Sequence, residues 1–121
     1  MSKVLVAEDD IFLINAYRVK LTKVGFEVKL AADGDEALAA LASFHPDVIL
    51  LDLVMPKKDG FSVLEEIKKN TDFNKIPIII ASNLGQQEDI DRGMKLGAID
   101  YIIKSDTSME DIIKKIQKAI V

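Results

Sequence analysis

Cysteine is absent from the 121 residues, which removes disulfides, thiolate metal sites and cysteine nucleophiles. That absence leaves the redox compartment open and fits a reducing interior. Long hydrophobic runs are also missing. The longest, such as Val48 to Leu51 and Ile76 to Ala81, fall far short of the ~20 residues needed to span a bilayer. Met1, Ser2 and Lys3 lead straight into Val4 to Ala7, with no extended apolar segment or small-residue cleavage site, so no export signal is expected. The expected location is cytoplasmic, without membrane association. Positive charge is not in excess either: 16 Lys plus Arg face 20 Asp plus Glu, for a net charge of −4. No long-range field gathers phosphate backbones or anionic lipid, so direct nucleic-acid binding is not expected. The single histidine, His45, precedes Pro46, which biases it to extended backbone in a surface loop. It makes a poor metal ligand or phosphorelay residue.

What is present is a chain with 49% hydrophobic and 30% charged residues, composition outside the disordered and fibrous classes. Its length suits one domain, residues 1–121, around a single core.

Short β-rich apolar runs alternate with stretches of helical period, the pattern of a parallel sheet wrapped by helices. Strands are predicted over Lys3 to Ala7, Glu27 to Ala31, Val48 to Leu51, Ile78 to Ala81 and Ala98 to Ile103. The first helix shows a stripe at Leu13, Tyr17, Leu21 and Val24, stopped by Gly25. The second runs from Asp35 to Phe44 with Ala37, Leu38, Leu41 and Ala42 inward, closed by Pro46. The third covers Phe61 to Lys69, after a loop through Pro56 and Gly60. The fourth, Gln86 to Leu96, carries few apolar residues and an internal glycine, Gly93. The last has a strong stripe at Ile112, Ile113, Ile116, Ala119 and Ile120, and either Thr107 or Ser108 supplies its capping box. The lysines at 68, 69, 114, 115 and 118 read as solvated helix faces.

In an open parallel sheet, functional side chains gather beyond the carboxyl ends of the strands, beside the reversal of strand order. Glu8, Asp9 and Asp10 follow the first strand, Asp52 the third, Ser82 and Asn83 the fourth, and Lys104 the fifth. Glu8 to Asp10 alone read as an ordinary solvated acidic loop. Joined to Asp52, Ser82 and Lys104 at three other strand ends, they read as a site. Glu8, Asp9 and Asp52 brought together repel one another and need a compensating cation. A hard divalent ion such as Mg2+, which prefers an octahedral shell of oxygens, fits that need. Lys104 follows Ile102 and Ile103 at a strand end, where an ammonium reaches a neighbouring carboxylate. Ser82 has two readings, a loop cap or a hydroxyl for a phosphoryl oxygen, and the residues themselves leave both open.

The stretch Val48-Ile-Leu-Leu-Asp-Leu-Val-Met-Pro-Lys-Lys-Asp-Gly60, with Glu8 and Asp9, Ser82 and Tyr101-Ile-Ile-Lys104 in order around it, resembles the receiver domain of two-component response regulators, the family that includes the chemotaxis regulator. The resemblance covers the whole chain. It implies a flavodoxin-like, doubly wound α/β fold of five parallel strands. It implies that Asp52 takes a phosphoryl group from a phosphohistidine of a sensor histidine kinase or phosphotransfer protein. Asp9, Glu8 and Asp52, with the backbone carbonyl of Val54, would hold Mg2+, and Lys104 would pair with the transferred group. Ser82 and Tyr101 would form a switch that alters binding to an output protein or domain. The domain would then catalyse its own phosphorylation and dephosphorylation without being an enzyme that turns over a substrate.

Several residues depart from the family pattern. Glu8 stands where aspartate is commonest, Asn83 replaces a small residue, and Ser105 replaces a common proline, so a trans Lys104–Ser105 peptide is expected. Val54 and Leu84 are apolar where the family places side chains that order the attacking water, so slow hydrolysis of the Asp52 phosphate is expected. Three other functions compete. A phosphate-independent binding module would be marked by loss of Asp52 or Lys104, and both are present. An aspartyl phosphatase would need Asp-x-Asp, which Asp52-Leu-Val lacks; a flavin phosphate would be repelled by Glu8 to Asp10. The sequence is compatible with a single-domain regulator acting by protein contact or a segment of a longer chain.

Overall fold

Strand and helix alternate along residues 2–120, which the computed structural model describes. The elements are β1 (Lys3–Ala7), α1 (Ile11–Lys23), β2 (Glu27–Ala31), α2 (Gly34–Phe44), β3 (Val48–Leu51), α3 (Gly60–Lys69), β4 (Ile78–Ser82), α4 (Gln87–Lys95), β5 (Asp100–Ile103) and α5 (Met109–Ile120). A single 3-10 turn, Lys104–Asp106, joins β5 to α5. All five strands are parallel, in the spatial order β2-β1-β3-β4-β5. The order reverses between β1 and β3, and a crevice opens there at the carboxyl edge.

The continuously apolar strands are explained by burial on both faces. Leu5, Ile49, Leu51, Ile78 and Ile80 point to one side, where they pack with Leu41, Leu64 and Ile67 of α2 and α3. Val4, Val6, Val48, Leu50 and Ile79 point to the other, against Tyr17 and Leu21 of α1 and Ile112 and Ile116 of α5. Each Leu or Ile so buried stabilises the fold by roughly 1.5–3 kcal/mol relative to exposure. On the outer strand β2, Glu27 and Lys29 are exposed, charges that discourage pairing with another sheet.

Local chemistry sets the helix ends. Aspartates cap three helices: Asp10 accepts from Phe12 and Leu13 of α1, Asp33 from Glu36 of α2, and Asp59 from Ser62 of α3. The choice at α5 falls on Ser108, whose Oγ accepts from Asp111 N–H at 3.1 Å. Three expectations are corrected. Val24 is exposed because α1 ends before it, and Ala40 rather than Ala42 is buried on α2. His45 is not extended: it adopts φ 52°, ψ 63°, because its N–H closes α2 on the Leu41 carbonyl at 3.1 Å. The cap bond outweighs the bias imposed by Pro46.

Candidate functional site

The β1–β3 register pairs Ala7 with Leu51, so the next residues, Glu8 and Asp52, leave the sheet side by side. Asp52 N–H donates to the Ala7 carbonyl at 3.0 Å and prolongs the ladder to the site. The β4–β5 register pairs Ser82 with Ile103, which brings Lys104 to the same edge. Glu8, Asp9, Asp52, Val54, Ser82 and Lys104 line one open cleft of about 480 Å³, together with Asp10, Asn83 and Leu84.

Lys104 is the centre of the arrangement. Its Nζ donates to Glu8 Oε1 at 2.8 Å and to Asp52 Oδ2 at 3.0 Å. The two carboxylates are nearly inaccessible, with side chains 3% and 6% exposed, against 12% for Lys104. Burial works against the Lys104 ammonium, but its hydrogen bonds to Glu8 and Asp52 and their charges together outweigh it and raise its pKa. Burial also raises the Glu8 pKa, despite the opposing bonds from Lys104 and Asp10 N–H. The remaining oxygens are anchored as well: Glu8 Oε2 accepts from Asp10 N–H at 3.1 Å, and Asp52 Oδ1 from Leu53 N–H at 2.7 Å.

One carboxylate oxygen from each of Glu8, Asp9 and Asp52 lies within 4.8 Å of the other two. These are hard oxygen donors. Three carboxylates against one ammonium leave two negative charges uncompensated, which a divalent ion balances, so the donor set fits Mg2+. Asp10, adjacent in the acidic run, directs its carboxylate to the α1 cap instead.

Ser82 is fully buried, and its Oγ accepts from Leu84 N–H at 3.2 Å. Tyr101 lies outside the cleft lining, yet its hydroxyl donates to the Leu84 carbonyl. The two therefore grip opposite ends of one residue in the β4–α4 loop. Gly93, the only buried residue of α4, comes so close that a Cβ there would lie 2.5 Å from Ile80 Cδ1 and 3.2 Å from the Tyr101 ring. The scarcity of apolar residues in α4 thus corresponds to a helix that buries only Gly93, packed directly against Ile80 and Tyr101. The Lys104–Ser105 peptide is trans, as expected.

Four contributions were not legible in the residue pattern. Gly60 packs against the turn after Asp52, where a Cβ would lie 2.2 Å from the Asp52 carbonyl oxygen. Tyr17, read only as part of an apolar stripe, is 1% exposed and its hydroxyl has no hydrogen-bond partner among the described residues. Burial and the charge of Glu8 push its phenol up to about 12. Leu84 contributes its backbone, and Asn83 Oδ1 accepts from Ser105 N–H at 2.9 Å. In the sequence Tyr17 shows only as a member of a helical stripe, Gly60 and Leu84 only through the resemblance, and Asn83 and Ser105 only as two separate departures from a pattern; none of these contacts follows from periodicity or spacing.

The fold is a doubly wound, flavodoxin-like α/β domain with carboxylates and a lysine gathered at its switch point. The chain belongs to the response regulator receiver domain family, whose profile matches residues 4–117. It is 42% identical over 102 residues to a probable transcriptional regulator, ycf27, of Cyanophora paradoxa, covering 84% of this chain and 41% of that protein. It is 34% identical over 104 residues to the DNA-binding dual master transcriptional regulator RpaA of Synechocystis sp., covering 86% and 43% respectively. Among solved structures, the receiver domain of the Francisella response regulator 1452 superposes with a TM-score of 0.90 at 33% identity, covering 99% of this chain and 97% of that one. The chain thus spans half or less of the length of these curated relatives, 41% and 43% for the two named.

These relatives correct one expectation. Nucleic acid was excluded on the net charge of −4, but RpaA carries DNA binding in its name. The charge of the stretch shared with it describes under half of that protein and says nothing of the remainder. As for the membrane, among the described residues no helix is long and apolar enough to cross one.

Proposed function

We propose that this receiver domain is a phosphorylation-dependent switch in which Asp52 accepts a phosphoryl group from a phosphohistidine of a sensor kinase or phosphotransfer protein. The observation that carries this reading is the Lys104 ammonium bridging the buried Asp52 and Glu8 carboxylates at the mouth of an open cleft. Asp52 Oδ1 is held by backbone N–H groups, which orients Oδ2 toward the incoming phosphorus. A P–O bond forms to Asp52 Oδ2 as the P–N bond of the phosphohistidine breaks, and its electron pair returns to the imidazole. Lys104, already 3.0 Å from that oxygen, transfers its hydrogen bond to a phosphoryl oxygen and neutralises part of the added charge. Glu8, Asp9, Asp52 and the Val54 carbonyl would hold Mg2+, which when bound neutralises charge on the phosphoryl group. The domain promotes its own modification and is a signalling protein rather than a turnover enzyme.

The switch follows from the shared residue Leu84. When the Ser82 hydroxyl turns to a phosphoryl oxygen, Leu84 N–H loses its acceptor, and the carbonyl that Tyr101 holds moves with it. The weakly buried α4 is the element that such a bias shifts. The names of the two regulators support transcription as the output under such control.

The test is incubation with acetyl phosphate and Mg2+, followed by intact mass, beside Asp52→Asn and an EDTA control. A metal-dependent, base-labile phosphoryl adduct confined to the wild type supports the reading. No adduct under trapping conditions overturns it in favour of a phosphate-independent binding module.

A further inference from the structure

The cleft is bounded by two loops that arrive from different strands, and each carries a residue that must meet the phosphoryl group: Ser82 at the end of β4 and Lys104 just after β5. The residues immediately following them are bonded to each other. Asn83 Oδ1 accepts from Ser105 N–H at 2.9 Å, across 22 positions of sequence. Because Ser105 presents a backbone N–H, the amide oxygen of Asn83 is the atom that faces it. Both residues are exposed, and Ser105 N–H belongs to the first turn of a one-turn 3-10 segment, where no carbonyl within the turn can accept it.

We propose that Asn83 is a positioning residue for the phosphoryl-transfer site, clamping the lysine loop to the switch loop across the mouth of the cleft. The inference rests on the phosphoryl-transfer reading above. Lys104 has a long, flexible stem, and its ammonium must move only from Asp52 Oδ2 and Glu8 Oε1 to a phosphoryl oxygen while its backbone stays in place. Ser105 is the peptide that fixes that backbone, and Asn83 supplies the contact from the opposite loop. The same bond ties the peptide after Ser82 to the lysine loop, so displacement of the Ser82 hydroxyl and repositioning of Lys104 are mechanically linked. Neither Asn83 nor Ser105 needs to touch the phosphoryl group for this role.

The experiment compares wild type, Asn83→Ala and Asn83→Asp, all at an exposed position that leaves the core intact. Two readouts are taken: hydrogen exchange of the Ser105 amide by NMR, and the rate constant for phosphorylation by acetyl phosphate with Mg2+, resolved into its saturating value and the donor concentration at half-saturation. Asn83→Ala is expected to speed Ser105 exchange and to lower the saturating rate about threefold to tenfold, the factor that one net hydrogen bond represents. The half-saturating concentration stays unchanged. Asn83→Asp, which retains an acceptor, restores Ser105 protection. Unchanged exchange in Asn83→Ala, or an unchanged saturating rate when the wild type is phosphorylated normally, overturns the positioning role and leaves the function standing. Failure of the wild type itself to take a phosphoryl group overturns both.

Discussion

Replacing Lys104 with methionine removes the one cation that separates two nearly buried carboxylates, and its consequences can be worked from the geometry. Glu8 and Asp52 each sit within about 3 Å of Nζ. With the ammonium gone, carboxylate oxygens within 4.8 Å of each other repel by about 3.5 kcal/mol at an effective dielectric of about 20. Removing one partner from a buried ion pair typically costs about 3–5 kcal/mol, because the other charge stays buried without compensation. Lys104→Met is therefore expected to lose about 3–4 kcal/mol at mildly alkaline pH, a large share of the ~5–15 kcal/mol typical of a domain.

The loss depends on pH, and its sign is set by Glu8. Burial already raises its pKa in the folded state, and loss of Lys104 raises it further. A carboxyl that is protonated when folded and ionised when unfolded makes stability fall as pH rises from the unfolded value through the folded one. The deficit should be largest at alkaline pH and shrink on acidification as Glu8 takes up a proton. Urea unfolding of both proteins across that range measures it directly. Mg2+ should recover more stability in the variant than in the wild type, and Asp52→Asn on the Lys104→Met background should restore most of the loss. Equal stabilities at alkaline pH, or a deficit that grows on acidification, would show that Lys104 does not compensate the two buried carboxylates.

Three further predictions are open to simple measurement. Asp33 is held below the usual carboxylate range, first by the Glu36 N–H and then by Lys57. Its contribution is present above the unfolded value near 4 and lost as pH falls through the lower folded value, so the stability deficit of Asp33→Ala in urea melts should fade in acid. His45 occupies left-handed backbone, and His45→Gly should relieve up to about 1 kcal/mol of strain, read as a rise in denaturant midpoint; an unchanged or lower midpoint would contradict it. Val54 is 59% exposed and lines the cleft without a polar side-chain atom. Val54→Asn should order the attacking water and shorten the Asp52 phosphate lifetime by about tenfold, followed by decay of the adduct mass.

The alternation of five strands and five helices was readable because each buried strand is a continuous apolar run and each helix except α4 carries a stripe. The site was readable for a related reason: a parallel sheet brings the residues after its strands to one edge, so Glu8, Asp9, Asp52, Ser82 and Lys104 could be grouped without coordinates. What escaped was the division of labour among similar groups. Asp9 and Asp10 are the same residue type side by side, and only the start of α1 separates a cleft carboxylate from a helix cap. His45 escaped because a local bias from Pro46 was set against a cap bond to Leu41 that has no sequence signature. The Asn83–Ser105 bond has no sequence signature because it joins two loops 22 positions apart whose proximity is set by the pairing of β4 with β5. The exclusion of nucleic acid fails because the net charge describes a stretch that makes up under half of RpaA and of the Cyanophora regulator.

Asp52 is the residue proposed to carry the phosphoryl group. Treating the acetyl phosphate adduct with borohydride reduces an acyl phosphate to the alcohol, and peptide sequencing by mass spectrometry then locates it. Homoserine at position 52, formed only with Mg2+ present, is the predicted result. Reduction at any other carboxylate, or none at position 52 when an adduct has formed, would contradict the claim.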